Sequence, residues 1–139
     1  MFHKDSELSD LQIKKLAKKN KIQLDGVHRK HELRKSPGRY IVNLDSYGPG
    51  THWVGLHIHP KPHCCDDTYF DSFGLPPPTD ILELWPEIKY NADRIQAIRS
   101  EGCGWYCLYF ISGKPMNVFT TDPDELWKND QIVFHAIKQ

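Results

Sequence analysis

Residues 102–111 read Gly102-Cys103-Gly104-Trp105-Tyr106-Cys107-Leu108-Tyr109-Phe110-Ile111. Two glycines bracket a cysteine, and an unbroken apolar run follows. The length of that run suits a buried helix better than a strand, although periodicity alone does not separate the two. If the helix starts at Cys103, the thiol lies over unpaired backbone N–H groups and the positive end of the helix. Both favour the thiolate, the nucleophilic form. The glycines let backbone and substrate approach closely. The bland alternative is a small buried residue at a turn.

Working back from this stretch, Arg94 to Ile98 reads as a strand leading into the cysteine loop. Gly74 to Pro78 breaks structure, and Thr79 or Asp80 can cap a short helix reaching Leu84 or Trp85. Thr68 to Ser72 is a short strand. Thr51 to His59 alternates, with His52, Val54, Leu56 and Ile58 on one face and Trp53, Gly55, His57 and His59 on the other. Arg39 to Asp45 is β-rich and stops at the turn-forming run 46–50. Hairpin-type connections between these strands predict antiparallel pairing. Residues 25–38 are polar and read mostly as loop. At the start, Ser9 and Gln12 form a capping box for a helix ended by Asn20 or by Asp25-Gly26. Its inward face is read as Leu8, Leu11, Leu16 and Ala17, with Lys14, Lys15, Lys18 and Lys19 wet. Beyond Ile111, a last helix is expected with Asp122 as cap, Pro123 first and Glu125 closing the box, and with Leu126, Val133 and Ile137 inward. The expected class is therefore α+β, one domain over residues 1–139, with a mixed or antiparallel sheet flanked by helices.

Composition bounds the function. The 139 residues carry 18 Lys plus Arg against 18 Asp plus Glu, and 39% are apolar. A zero net charge excludes a generally basic nucleic-acid coat, and the apolar content excludes whole-chain disorder. The charge is uneven. Residues 1–39 hold eleven Lys/Arg against five Asp/Glu, and residues 40–139 hold seven against thirteen. The basic stretch 14–39 is either a solvated surface or a contact for an acidic partner or a nucleic-acid backbone. No apolar run is long enough to span a membrane, and Met1 to Asp5 lacks a secretory core. An intracellular setting is expected, with Cys64, Cys65, Cys103 and Cys107 as thiols.

A nucleophilic cysteine needs a base, and the base needs an orienting group. His52 stands at the start of a strand, and Asp71 near the end of the next. If those strands pair, the two meet at one sheet edge. Gln96, seven residues before Cys103, can donate its amide to an oxyanion alongside the Cys103 N–H. Taken singly, His52 could be a strand residue and Asp71 a turn cap.

Four segments then resemble one family: Gly50-Thr51-His52-Trp53-Val54, Tyr69-Phe70-Asp71-Ser72-Phe73-Gly74, Arg94-Ile95-Gln96 and Cys103-Gly104-Trp105-Tyr106-Cys107. They look like the adenovirus maturation protease (adenain) family, and most like its short relatives in virophages, large DNA viruses and Maverick/Polinton transposons. The same clan includes proteases that process ubiquitin-like proteins. The resemblance implies an adenain-like cysteine protease fold with the nucleophile at a helix N-terminus. It implies His52 as base, Asp71 as orienting acid, Gln96 as oxyanion donor and Cys103 as nucleophile. Trp53 resembles the tryptophan lining a narrow groove for a small residue, with Gly102 and Gly104 beside the nucleophile. It further implies cleavage after glycine in capsid or core precursors, in the virion or the infected-cell interior. The adenovirus enzyme is activated by a viral peptide and by DNA. This sequence by itself calls for no cofactor, and its one hint of such a partner is the basic stretch.

Other readings compete. His57, His59, His63, Cys64 and Cys65 fall within nine residues and suit zinc or copper, or simply form a histidine-rich loop. A protease removing ubiquitin-like modifiers stays within the clan. A structural virion protein with an inactive protease fold finds no support, because no key position is replaced. Cys107 and the aromatics Trp105, Tyr106, Tyr109 and Phe110 read as core.

Overall fold

A computed structural model describes residues 8–44, 52–62, 65–97 and 102–139. Helix α1 (Asp10–Lys19) is followed by strands β1 (Gly26–Arg29), β2 (Gly38–Asn43), β3 (Trp53–Ile58) and β4 (Thr68–Phe70). Helix α2 (Thr79–Leu84), strand β5 (Lys89–Tyr90) and helices α3 (Cys103–Ile111) and α4 (Leu126–Ala136) complete the order. The sheet runs β1-β2-β3-β4-β5. Its centre is antiparallel, as the hairpin pattern predicts, with Val42 opposite Val54 and Leu56 opposite Tyr69. Both edges are parallel, β1 to β2 and β4 to β5, so the sheet is mixed.

Helix α3 organises the molecule. Eight of its nine residues are buried, which explains an apolar run with no polar face. It packs on the sheet face that carries Trp53, Ile41 and Phe70, together with Ile13, Leu16 and Ala17 of α1 and Val133 of α4. Gly55 permits this approach, since a Cβ there would lie 2.7 Å from Phe110 Cδ2. Phe110 stacks on Phe70 with centroids 5.0 Å apart. Val42, Val54, Leu56 and Tyr69 fill the opposite face under Ile81 and Trp85, which belong to α2 and its cap. The alternation read along β3 therefore feeds two cores, and both sheet faces are covered. Arg39 donates from Nη1 to the Ile111 carbonyl at 2.8 Å, a cation at the C-terminal end of α3.

Several expectations are corrected. The Ser9–Gln12 capping box forms, but Leu11 is 58% exposed and Ile13 takes the inward place. The polar stretch 25–38, read as loop, contains β1 and a 3-10 turn at Lys30–Glu32. Pro78 caps α2, so Thr79 and Asp80 lie inside it. Residues 94–97 form no strand; the strand in that region is β5. Helix α4 starts after Glu125 without a side-chain cap, because the Asp122 carboxylate accepts the Asp124 N–H in the preceding turn. Leu126, Val133 and Ile137 do point inward. The turn expected at 46–50 and the residues Ile98, His63 and Cys64 lie outside the described residues. Among the described residues, no helix is long and apolar enough to cross a membrane.

Candidate active site

Cys103 is the first residue of α3, and Gly102 is its N-cap. No side chain caps this terminus and no acidic residue lies in its first turn, and the positive helix end faces the sulfur. The Trp53 backbone N–H donates to Cys103 Sγ at 3.4 Å. Start of β3 and start of α3 thus meet at the sulfur.

His52 precedes β3. Its Nε2 lies 3.1 Å from Asp71 Oδ1, in ion-pair rather than linear hydrogen-bond geometry. Cys103 is the second side chain that holds the imidazole. Burial would lower the basicity of His52, but Asp71 and Cys103 outweigh it and push the pKa from 6.5 up to about 10. The ring is 19% exposed, whereas the Asp71 side chain is 1% exposed. Phe73 stacks on the imidazole with centroids 5.3 Å apart, and Arg94 lies over Phe73 at 5.2 Å.

Asp71 is fixed by its neighbourhood. Its Oδ1 accepts the Phe73 N–H at 2.8 Å, its own N–H donates to Asn91 Oδ1 at 3.0 Å, and Asn91 Nδ2 returns a bond to its carbonyl. Gly74 closes the turn with φ +73, where a Cβ would lie 2.6 Å from the Asp93 carbonyl carbon. Gln96 is fully buried and bound to the residue after Asp71: its N–H donates to the Ser72 carbonyl at 3.0 Å, and its Oε1 accepts from the Ser72 hydroxyl.

His52, Asp71 and Cys103 are therefore brought together, and Gln96 is tied to the same corner through Ser72. Trp53 is placed differently from the groove-lining position that the motif implies. It is 3% exposed, and its indole N–H donates to the Leu8 carbonyl at 2.9 Å. Gly104 is buried under Leu8 and Trp53, 3.2–3.4 Å from where a Cβ would stand. Sequence reading missed Asn91, Phe73 and the Ser72–Gln96 bond. Asparagine and serine beside a carboxylate do not announce a tertiary partner. A cavity of about 370 Å³ lined by Tyr69, Phe70, Tyr90, Ile95, Phe110 and Phe119 lies apart from the four catalytic candidates. His57 and His59 have rings 4.1 Å apart, but the described residues hold no group of three metal-ligating side chains. Cys65 is exposed and Cys107 is buried, its thiol pushed well up by burial and then by Cys103.

No family model matches the chain. The cysteine protease of a Malawian tick isolate of African swine fever virus is 26% identical over 127 residues, covering 73% of this chain and 46% of that protein. A protein named SUMO-1 cysteine protease, from a Kenyan pig isolate of the same virus, is 25% identical with the same coverage. Two crystal structures of the African swine fever virus protease align at 25% and 22% identity, with TM-scores of 0.40 and 0.39. They cover 69% and 72% of this chain and 44% and 42% of their own chains. The chain thus spans about half the length of the relatives it matches. The similarity found runs to this enzyme rather than to the virophage and transposon relatives that the motifs suggested. At low identity, the chain is similar to a viral cysteine protease.

Proposed function

We propose that the chain is a thiol endopeptidase that cleaves after glycine. The observation that carries this reading is the imidazole of His52 held between Asp71 and a cysteine at a helix N-terminus. His52 takes the Cys103 proton, which leaves the sulfur as the attacking thiolate. The thiolate attacks the scissile carbonyl, and the developing oxyanion takes hydrogen bonds from the Cys103 N–H and the Gln96 amide. The imidazolium gives its proton to the leaving amine as the C–N bond breaks. Neutral His52 then deprotonates a water, which attacks the thioester, releases the carboxylate and restores the pair. Gly104 lets Leu8 and Trp53 pack closely beside the nucleophile, and Trp53 acts through its backbone N–H.

For the substrate, the name SUMO-1 cysteine protease carried by relatives favours the tail of a ubiquitin-like modifier. The second reading, cleavage of capsid or core precursors, rests on the four motifs. The test is cleavage of a SUMO fusion with a C-terminal reporter, beside peptides from capsid precursors with glycine at the cut. Wild-type protein is expected to release the reporter, and Cys103→Ala to release none. Cleavage of the precursor peptides alone selects the second reading. Release by Cys103→Ala at the wild-type rate removes the thiol mechanism.

A further inference from the structure

We infer that Arg94 is a specificity-determining residue whose guanidinium takes a side-chain carboxylate of the substrate about three residues beyond the cut. The inference rests on the peptidase reading above and adds to it a charge preference on the leaving side. Arg94 is half-buried, and its guanidinium carbon stands 5.2 Å from the centre of the Phe73 ring. Among the described residues its side chain makes no hydrogen bond and no ion pair. An aromatic face offers the cation a quadrupole but no oxygen acceptor, so the fork of N–H donors is left unfilled. The acids beside it are otherwise placed. Asp71 is buried against His52, and Asp93 is exposed and forms no ion pair with Arg94. A carboxylate fits the planar fork with two parallel hydrogen bonds, which a lysine does not reproduce.

Position says which part of the substrate is read. Phe73 stacks on the imidazole of His52 with centroids 5.3 Å apart, so His52, Phe73 and Arg94 follow one another outward from the site. His52 hands its proton to the leaving amine, so the chain beyond the cut departs on the imidazole side. The two steps of 5.3 and 5.2 Å together match about three residues of extended chain at about 3.3 Å each. The seat of this arginine is fixed. The N–H groups of Ile95 and Gln96, which follow it, donate to the Ser72 carbonyl at 2.9 and 3.0 Å. Gly74 packs against its backbone so closely that a Cβ would lie 2.8 Å from Arg94 N. The turn that carries Asp71 thus also supplies Phe73 as spacer and the support under Arg94. A fork held on fixed backbone has less freedom to lose on binding.

The test is a set of internally quenched peptides, amidated at the C-terminus, with Gly-Gly before the cut and Glu, Gln or Lys as the third residue after it. A control set carries the same three residues four positions before the cut. Wild-type protein is expected to favour Glu over Gln after the cut about tenfold in kcat/KM, with Lys poorer than Gln. The control set should differ by less than about twofold. Arg94→Met should bring the Glu and Gln peptides to the same kcat/KM, and Arg94→Glu should favour Lys. The ratio between peptides is read within each protein, so a loss common to all of them, as from a disturbed Phe73 or His52, does not move it. Should Arg94→Met fail to fold, Arg94→Lys keeps the charge without the fork, and an intermediate preference is expected. No preference for Glu in the wild type, a preference that survives Arg94→Met, or an equal one in the control set overturns the inference and leaves the peptidase standing. Wild-type protein that cleaves none of the peptides removes the peptidase reading, and this inference with it.

Discussion

At Cys103 three influences converge that no single segment carries: the end of α3, the Trp53 N–H and the imidazolium of His52. Each sets an electropositive group against the sulfur. The same pairing makes stability depend on pH. The folded-state pKa of His52 is raised, so the folded state binds its proton more tightly than the unfolded chain does. That stabilisation is fully present below pH 6.5 and is lost as pH rises toward about 10. Denaturant unfolding across this window should show a decline on the order of a few kcal/mol, and His52→Gln should flatten it. For chemistry, Gln96→Ala should lose about 10²–10³ in kcat if its amide serves the oxyanion. The four candidates were legible because their residue types and order fit one mechanism. Ser72 was not, since a serine beside an aspartate acquires its meaning only from Gln96, 24 residues away.

The elements were legible where local chemistry decides them. The Ser9–Gln12 box and the apolar run of α3 contain their own evidence, and both elements form as read. Ser9→Ala should cost about 1 kcal/mol, read as a shift in the urea midpoint. Where tertiary contacts decide, sequence reading failed. Strand β1 is a polar parallel edge with partial burial, so no alternation marks it. Ile95 and Gln96 look β-like because they are buried, but they are buried by Ser72, Asn129 and Tyr106 rather than by a ladder. Two glycines separate packing from positioning. Gly55→Ala presses on Phe110 and should cost about 1–3 kcal/mol with little change in kcat of the folded fraction. Gly74→Ala should cost about 1–2 kcal/mol from its left-handed backbone alone. It also pushes on the Asp93–Arg94 backbone that leads to Gln96, so kcat should fall as well.

Across the whole molecule, the mixed sheet brings distant segments to one corner. Strand β3 pairs with β4, which places the residues just outside their ends, His52 and Asp71, within reach of each other. Helix α3 crosses the same face and delivers Cys103, while α4 reaches around through Asn129 to hold the Gln96 segment. The two cores on opposite faces of β3 fix this corner on rigid elements. Cys107, one turn deeper in α3, is fully covered and serves as packing. The central claim is that this architecture makes one thiol, and only that one among Cys65, Cys103 and Cys107, a nucleophile at neutral pH.

The most direct measurement is the alkylation rate of each cysteine between pH 5 and 9, read by mass spectrometry, in wild-type and His52→Ala protein. The account predicts that Cys103 reacts fast below pH 7, that His52→Ala slows it, that Cys65 follows an ordinary thiol and that Cys107 stays unreacted. A Cys103 rate that rises with pH like a free thiol and ignores His52→Ala would contradict it.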